Sequence, residues 1–282
     1  MEREFSLRKI FSGRLFVQIL LLAGAGLMVL PFVYMVGTSF KPPTEVIAWP
    51  PTLLPKEPTL ENYASLGTSA PFGRFFLNSM IVASVSTISI LATSTLAGYI
   101  FSKFRFPGRN FLFVILLATA MVPFETYLIP LYLITKDFKL TNSYAGMIAP
   151  YLIMSFGIFL MRQNIGSQIP DELLDAARID GCSEWRIFWQ IVVPLSSSAV
   201  SALGIFAFMQ SWMAFIWPLI MATEREMYTM EVGLSIFQRR FTIEYGGITA
   251  GSTISILPIL IIFLILRRHI IQGITLTGLK EG

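Results

Sequence analysis

Few residues of this chain can do acid–base, nucleophilic or metal chemistry. Its 282 residues hold one histidine, His269, and one cysteine, Cys182. No zinc ligand set and no internal disulfide can be assembled from them, and a Ser/His/Asp relay finds no partners around the one imidazole. No G-x-x-x-x-G-K-[ST] phosphate loop occurs, so the chain is not itself an ATPase. The informative side chains are instead polar ones set in apolar runs. Glu125 lies in MVPFETYLIPLY, and Gln210, Trp212 and Trp217 lie in FAFMQSWMAFIWPLIMA. A charge at the centre of a membrane helix costs about 2.5–3.5 kcal/mol, and a lone amide in lipid has no partner, so each asks for a reason. A hydroxylated solute needs hydrogen bonds for its hydroxyls and rings for its C–H faces. Glu125, Gln210, Trp212 and Trp217 are therefore the candidate lining of a solute pathway. Interfacial water for Glu125 and an aromatic belt for Trp217 are the plainer alternatives.

The second informative segment is SQIPDELLDAARIDGCSEWRIFWQIVVPL, residues 167–195. It reads as two short helices joined at a glycine. Pro170 suits a first helical position, Asp171 and Glu172 put negative charge in the first turn, and Gly181 can take the left-handed conformation that ends a helix. A second helix starting near Ser183 would align Trp185, Phe188, Trp189 and Val192 on one apolar face, set against the inner surface of a bundle.

These residues must be positioned by membrane helices. Hydrophobic residues make up 54% of the chain, charged ones only 13%, and the mean hydropathy is +0.67. That composition lies outside the range of soluble domains and points to an all-α integral membrane protein. A net charge of +4, spread along the chain, gives no nucleic-acid stripe. Six stretches reach the roughly 20 apolar residues that a crossing needs. They are residues 15–36, 78–100, 111–131, 143–161, 195–221 and 248–266, the fifth starting where Pro194 breaks a longer run. The first reads as an uncleaved anchor, since its apolar run continues past Ala23-Gly24-Ala25-Gly26. The second, rich in Ser, Thr, Gly and Ala, reads as a helix–helix interface. Residues 1–14 form a tail, 15–266 the six-span domain with the loop at 162–194, and 267–282 a second tail. With the first tail in the cytoplasm, thirteen of the 21 Lys and Arg fall on that side and eight outside, so both termini are expected to be cytoplasmic. The Pro-rich stretch between the first two spans is expected to be extended or turned rather than a folded domain.

The loop resembles the EAA motif of ABC importer permeases. Asp175-Ala176-Ala177 stands for Glu-Ala-Ala, Gly181 holds the glycine place, and Ile191, Val193 and Pro194 hold the Ile-x-Leu-Pro tract. Asp for Glu and Val for Leu keep charge and apolarity. SFKPPTEV, PTLENY, MVPFETYLIPLY, DELLDAARIDG and RRHIIQGITLTGLKEG extend the resemblance to the carbohydrate-uptake permease family, the maltose-system type. The resemblance implies six transmembrane helices and a cytoplasmic coupling helix. In that helix Asp175, Ala176, Ala177, Gly181 and Pro194 engage an ATPase: small alanines admit a partner backbone and the acid offers a charge-assisted bond. It implies a second, homologous permease, two ATP-binding-cassette ATPase subunits that bind the ATP, an extracytoplasmic solute-binding protein, and a sugar substrate. The family commonly has Asn after the tryptophan where this chain has Met213. An ABC permease for glycerol phosphate or a polyol is the alternative. It would call for arginine in the pathway, whereas Arg225, Arg239 and Arg240 fall in a loop. A stand-alone secondary transporter would show paired intramembrane charges or an inverted repeat, and neither is evident.

Overall fold

The computed structural model describes residues 2–239 and 245–278, all of whose regular elements are helical. The main ones in chain order are α1 (Glu2–Ser39), α2 (Glu61–Ser69), α3 (Phe72–Lys103), α4 (Arg109–Ala120), α5 (Phe124–Asp137), α6 (Tyr144–Ile148) and α7 (Ser155–Gln168). There follow α8 (Asp171–Ile179), α9 (Glu184–Ile187), α10 (Ser197–Trp212), α11 (Ile216–Met221), α12 (Met230–Arg239) and α13 (Tyr245–Gly278). Arg240 and Lys280 fall outside the described residues, as do the side chains of Arg239, Arg268 and His269.

Among the described residues, three helices are long and apolar enough to cross a bilayer unbroken: Leu15–Ser39 within α1, Phe72–Lys103, and Tyr245–Arg267 within α13. Three bent helix pairs pass the same test together, which gives the expected six crossings with each pair taken as one span. The third expected span is cut at residues 121–123, and α4 and α5 meet at 97°. Pro123 has an extended ψ of 138° and no amide hydrogen, so α4 cannot run through it. The fourth bends by 46° between Tyr151 and Ser155.

The run around Pro194 differs from expectation too. The helix continues through Pro194, and the 80° bend falls at Ser196. Upstream, residues 188–192 widen into a π turn, with the Val193 N–H bonded back to Phe188 O. The proline ring clashes with the carbonyl four residues before it, and a wider turn absorbs that clash without ending the helix. A second break, at Met213–Phe215, separates α10 from α11.

Two compact units divide the chain. In the unit of residues 1–70 and 237–254, α1 turns an apolar surface outward from Leu15 to Val36. Of the two expected conformations the Pro-rich stretch takes turns, including a short helix at Pro43–Val46, and hydrogen bonds tie it together. Asn62 Nδ2 donates to Ser39 O (2.9 Å) and Lys41 O (2.8 Å), and the Glu45 carboxylate accepts from the Lys56 N–H and the Thr52 hydroxyl. In the unit of residues 71–236 and 255–282, α3 is the central helix, packed on α7 and α10. Small residues set that approach: a Cβ on Gly98 would stand 2.6 Å from Met161 Cβ, and one on Gly157 2.5 Å from Ser94 Oγ. The second span is thus the helix interface its composition suggests.

Candidate functional site

The loop after α7 is built on this unit's core. Leu174, Ala177, Ile187, Phe188 and Val192 join Ile90, Tyr99, Met161 and Ile165 in one buried cluster, so the loop's inner face is packed and its outer face is presented. Pro170, at ψ 144°, caps α8 rather than opening it. Lys103 Nζ, at the end of α3, reaches across to the first residue of α8, Asp171 Oδ1, at 2.6 Å and also donates to Ile169 O. At its other end α8 stops at Gly181, which has φ +80°. The Gly181 N–H bonds Arg178 O (3.0 Å) and the Cys182 N–H bonds Ala177 O (2.9 Å), the crossed pair of a Schellman motif. Ser183 Oγ then accepts the Arg186 N–H at 3.4 Å and caps α9.

An arginine locks the two helices together. Arg178 Nε donates to Glu184 Oε1 and its Nη1 to Asp175 Oδ1, each at 2.7 Å. Glu184 Oε2 accepts the Tyr99 hydroxyl from α3 at 2.8 Å. The bond to Glu184 holds the Arg178 guanidinium charged far above the working pH range, and Arg178 in turn holds Glu184 below the usual carboxylate range. Asp171 is held low by its bond to Lys103. Lys103 is buried, but its partner Asp171 and both Arg178 pairs are partly to largely exposed, and exposed pairs contribute only about 0–1 kcal/mol each. Their effect is geometric: they fix the angle between α8 and α9 and tie both to the end of α3.

The expected motif residues divide by face. Asp175 is two-thirds exposed and shares its charge with Arg178. Ala176 faces out, with Leu173 and with Ile179, which is 87% exposed, whereas Ala177 is buried under α8. Gly181 meets nothing where a Cβ would stand, so its backbone conformation alone calls for glycine. Pro194 is exposed beyond the π turn. The face expected for the second helix is corrected by its packing. Ile187, Phe188 and Val192 go inward, while Trp185 and Trp189 are more than half exposed.

The four candidate pathway residues are not brought together. Gln210 and Trp212 are two positions apart on α10, about 200° around the helix, so they face opposite ways. Gln210 is exposed. Trp212 is 1% exposed, stacks on Phe208, meets Phe76 edge-on, and donates its Nε1–H to Ser255 O at 3.1 Å. Trp217 is fully buried and donates to Gly146 O at 3.0 Å. Both indoles are consumed inside the unit, so neither ring is presented to a passing solute. Glu125 is exposed in the first turn of α5, beyond the 97° bend.

Several supporting residues went unnoticed in the sequence. Asn78 donates to Glu226 O (2.7 Å) and Tyr228 O (2.9 Å) and accepts the Tyr144 hydroxyl (2.7 Å), pinning the segment before α12 to α3 and α6. Ser255 offers its hydroxyl to Glu231 Oε1 at 3.3 Å. A buried asparagine at a span's end is the only sequence signal these carry.

Residues 90–276 match the family model described as "Binding-protein-dependent transport system inner membrane component". The chain is 34% identical over 259 residues to the arabinooligosaccharides transport system permease protein AraQ of Halalkalibacterium halodurans, covering 91% of this chain and 92% of that protein. It is 32% identical over 268 residues to the sn-glycerol-3-phosphate transport system permease protein UgpE of Escherichia coli, covering 92% and 95%. With the diacetylchitobiose uptake system permease protein NgcG of Streptomyces coelicolor it shares 28% over 260 residues, covering 91% and 85%. Its fold is similar to a chain of a bacterial ABC transporter involved in the import of the acidic polysaccharide alginate, with a TM-score of 0.80, 21% identity, and coverage of 92% and 96%.

Proposed function

This chain belongs to the family of binding-protein-dependent transport system inner membrane components, and we propose that it forms half of the translocation pathway of an ATP-driven importer for a di- or oligosaccharide. It is a multi-pass membrane transport subunit and not an enzyme. Its partners are a second, homologous permease, two ATP-binding-cassette ATPase subunits and an extracytoplasmic solute-binding protein. The observation that carries this reading is the loop at residues 170–194. It is a rigid, capped helix pair with Ala176 and Ile179 turned outward and its inner face continuous with the core of the spans. A short helix held in that way transmits a partner's motion to α3, whereas a flexible loop would absorb it. Asp175, Ala176 and Gly181 present and shape the docking face, Ala177 seats it, and Pro194 stands at its junction with the spans. The cation bias supports a cytoplasmic location for this loop and both termini.

Relatives that carry oligosaccharides support the substrate class. The similarity to the glycerol-phosphate permease leaves the phosphate ester as the second reading. Gln210, an exposed amide on an apolar span, is the group we assign to the pathway, with Glu125 near its outer mouth. Trp212 and Trp217 position the helices that carry it. The test is ATP hydrolysis by the reconstituted complex with its binding protein, given arabino-oligosaccharide, chitobiose derivatives or sn-glycerol 3-phosphate. Stimulation by an oligosaccharide is expected. Stimulation by the phosphate ester alone overturns the sugar assignment, and no dependence on ATPase subunits overturns the importer.

A further inference from the structure

A cationic cavity lies at the start of α4, outside the coupling loop. It has a volume of about 290 Å3 and is lined by Arg105, Phe106, Gly108, Arg109, Asn110 and Phe111. Arg105 is exposed and makes no hydrogen bond or ion pair among the described residues. Arg109 is half-buried, with Nη1 donating to Phe104 O at 3.0 Å and the rest of its fork unengaged among the described residues. Arg162 stands nearby on α7, over the Phe113 ring at 3.8 Å, with Nε donating to Phe101 O at 3.3 Å. Among the described residues no carboxylate lies within ion-pair distance of any of the three. Asp171, which feels the Arg105 charge, is already bound by Lys103.

From this cavity α4 runs into the membrane with an unpartnered apolar stripe. Phe111, Val114 and Ile115 stand at i, i+3 and i+4 on one face, all exposed. Planar guanidinium forks recognise phosphate oxygens in pairs. A soluble anion would use the forks and leave the stripe bare. An acidic peptide at the membrane surface would not reach along it. We infer that this cavity seats the phosphate of an anionic phospholipid of the cytoplasmic leaflet, whose acyl chains lie along Phe111, Val114 and Ile115. The inference rests on the proposed topology, which puts the segment between α3 and α4 on the cytoplasmic side, where basic pockets at helix ends meet anionic headgroups. Bound there, the lipid fixes the start of the span that is bent at Pro123.

The test uses the complete complex, delipidated in mild detergent and incubated with dioleoyl phosphatidylglycerol or dioleoyl phosphatidylcholine, with retained lipid counted by native mass spectrometry. One tightly held phosphatidylglycerol per copy of this chain is expected, in preference to phosphatidylcholine. The double substitution Arg105→Gln with Arg109→Gln should lower its retention about tenfold or more and leave phosphatidylcholine unchanged. Arg105→Gln alone removes no internal bond and should lower retention several-fold even if the double variant disturbs assembly. Equal retention of the two lipids, unchanged retention in Arg105→Gln, or no phosphatidylglycerol held by the wild type because a partner subunit covers the cavity would each overturn the inference. So would displacement of the lipid by millimolar inorganic phosphate, which would mark a soluble-anion site. Lipid counting needs no transport, so this result stands apart from the outcome for the proposed substrate.

Discussion

The hydroxyl of Tyr99, on the last turns of α3, donates to Glu184 Oε2 at 2.8 Å, although 85 positions separate the two residues. Because Glu184 also takes Arg178 Nε at 2.7 Å, one carboxylate joins a membrane span to both helices of the coupling loop. Tyr99→Phe removes only the hydroxyl and should leave the complex assembled, since the ring keeps its packing on Phe104 and Phe188. Transported sugar per ATP hydrolysed should fall several-fold in Tyr99→Phe and in Glu184→Gln. The double variant should do no worse than the worse single one, because both cut the same link. Additive losses would show that the two residues act separately.

Acid should loosen this tie late. Asp171 and Glu184 both have their pKa lowered in the folded chain, so their contribution is present above the ordinary carboxylate range, about 4, and is lost only as pH falls through the lower folded values. Amide hydrogen exchange of residues 171–187, corrected for intrinsic rates, should therefore be flat from neutral pH down to about 5 and rise below about 4. A rise centred between neutral pH and the carboxylate range would assign the tie to some other group.

On α10, packing and pathway roles should separate. Trp212→Ala empties a buried site and should destabilise by about 3–5 kcal/mol, seen as lost yield of assembled complex. Gln210→Ala should assemble normally and lower uptake. Lost uptake with normal assembly in Trp212→Ala, and no effect in Gln210→Ala, would reverse the assignment.

How much of this was legible in the sequence depended on whether a feature is local. Gly181 was readable because a helix end that needs positive φ favours glycine, and the neighbouring Ser183 cap is equally local. The opposite facing of Gln210 and Trp212 follows from the helical repeat, yet shared polarity and aromaticity had grouped them. Residues 111–131 and 195–221 each read as one span, although Pro123 after α4 and Pro218, whose ring crowds the carbonyl of Ala214, are local causes of the two breaks. Two apolar arcs compete on the second helix, and the packed one holds Ile187, Phe188 and Val192, which leaves Trp185 and Trp189 outward; the π turn at 188–192 is a further feature that no 3.6-residue pattern anticipates. Tyr99 with Glu184, and Lys103 with Asp171, join distant parts of the chain, and nothing in either local sequence names the other.

Topology is open to chemistry. With Cys182 replaced by Ser, a cysteine at Lys56 should react with an impermeant thiol reagent added outside intact cells, and one at Arg105, an exposed position, should react only after permeabilisation. The opposite pattern would place the coupling loop outside and end the proposed orientation.

We propose that the helix pair from Pro170 to Pro194 couples the spans to the ATPase. Asp175→Lys sets a cation beside Arg178 and reverses the charge on the docking face. Gly181→Val has open space around its side chain and strains only the left-handed backbone, by roughly 1–2 kcal/mol, so the subunit should still insert. The deciding measurement is substrate-stimulated ATP hydrolysis by the reconstituted complex carrying either variant. Stimulation should fall at least tenfold in both while membrane insertion is retained, and full stimulation in both would contradict the assignment of this loop.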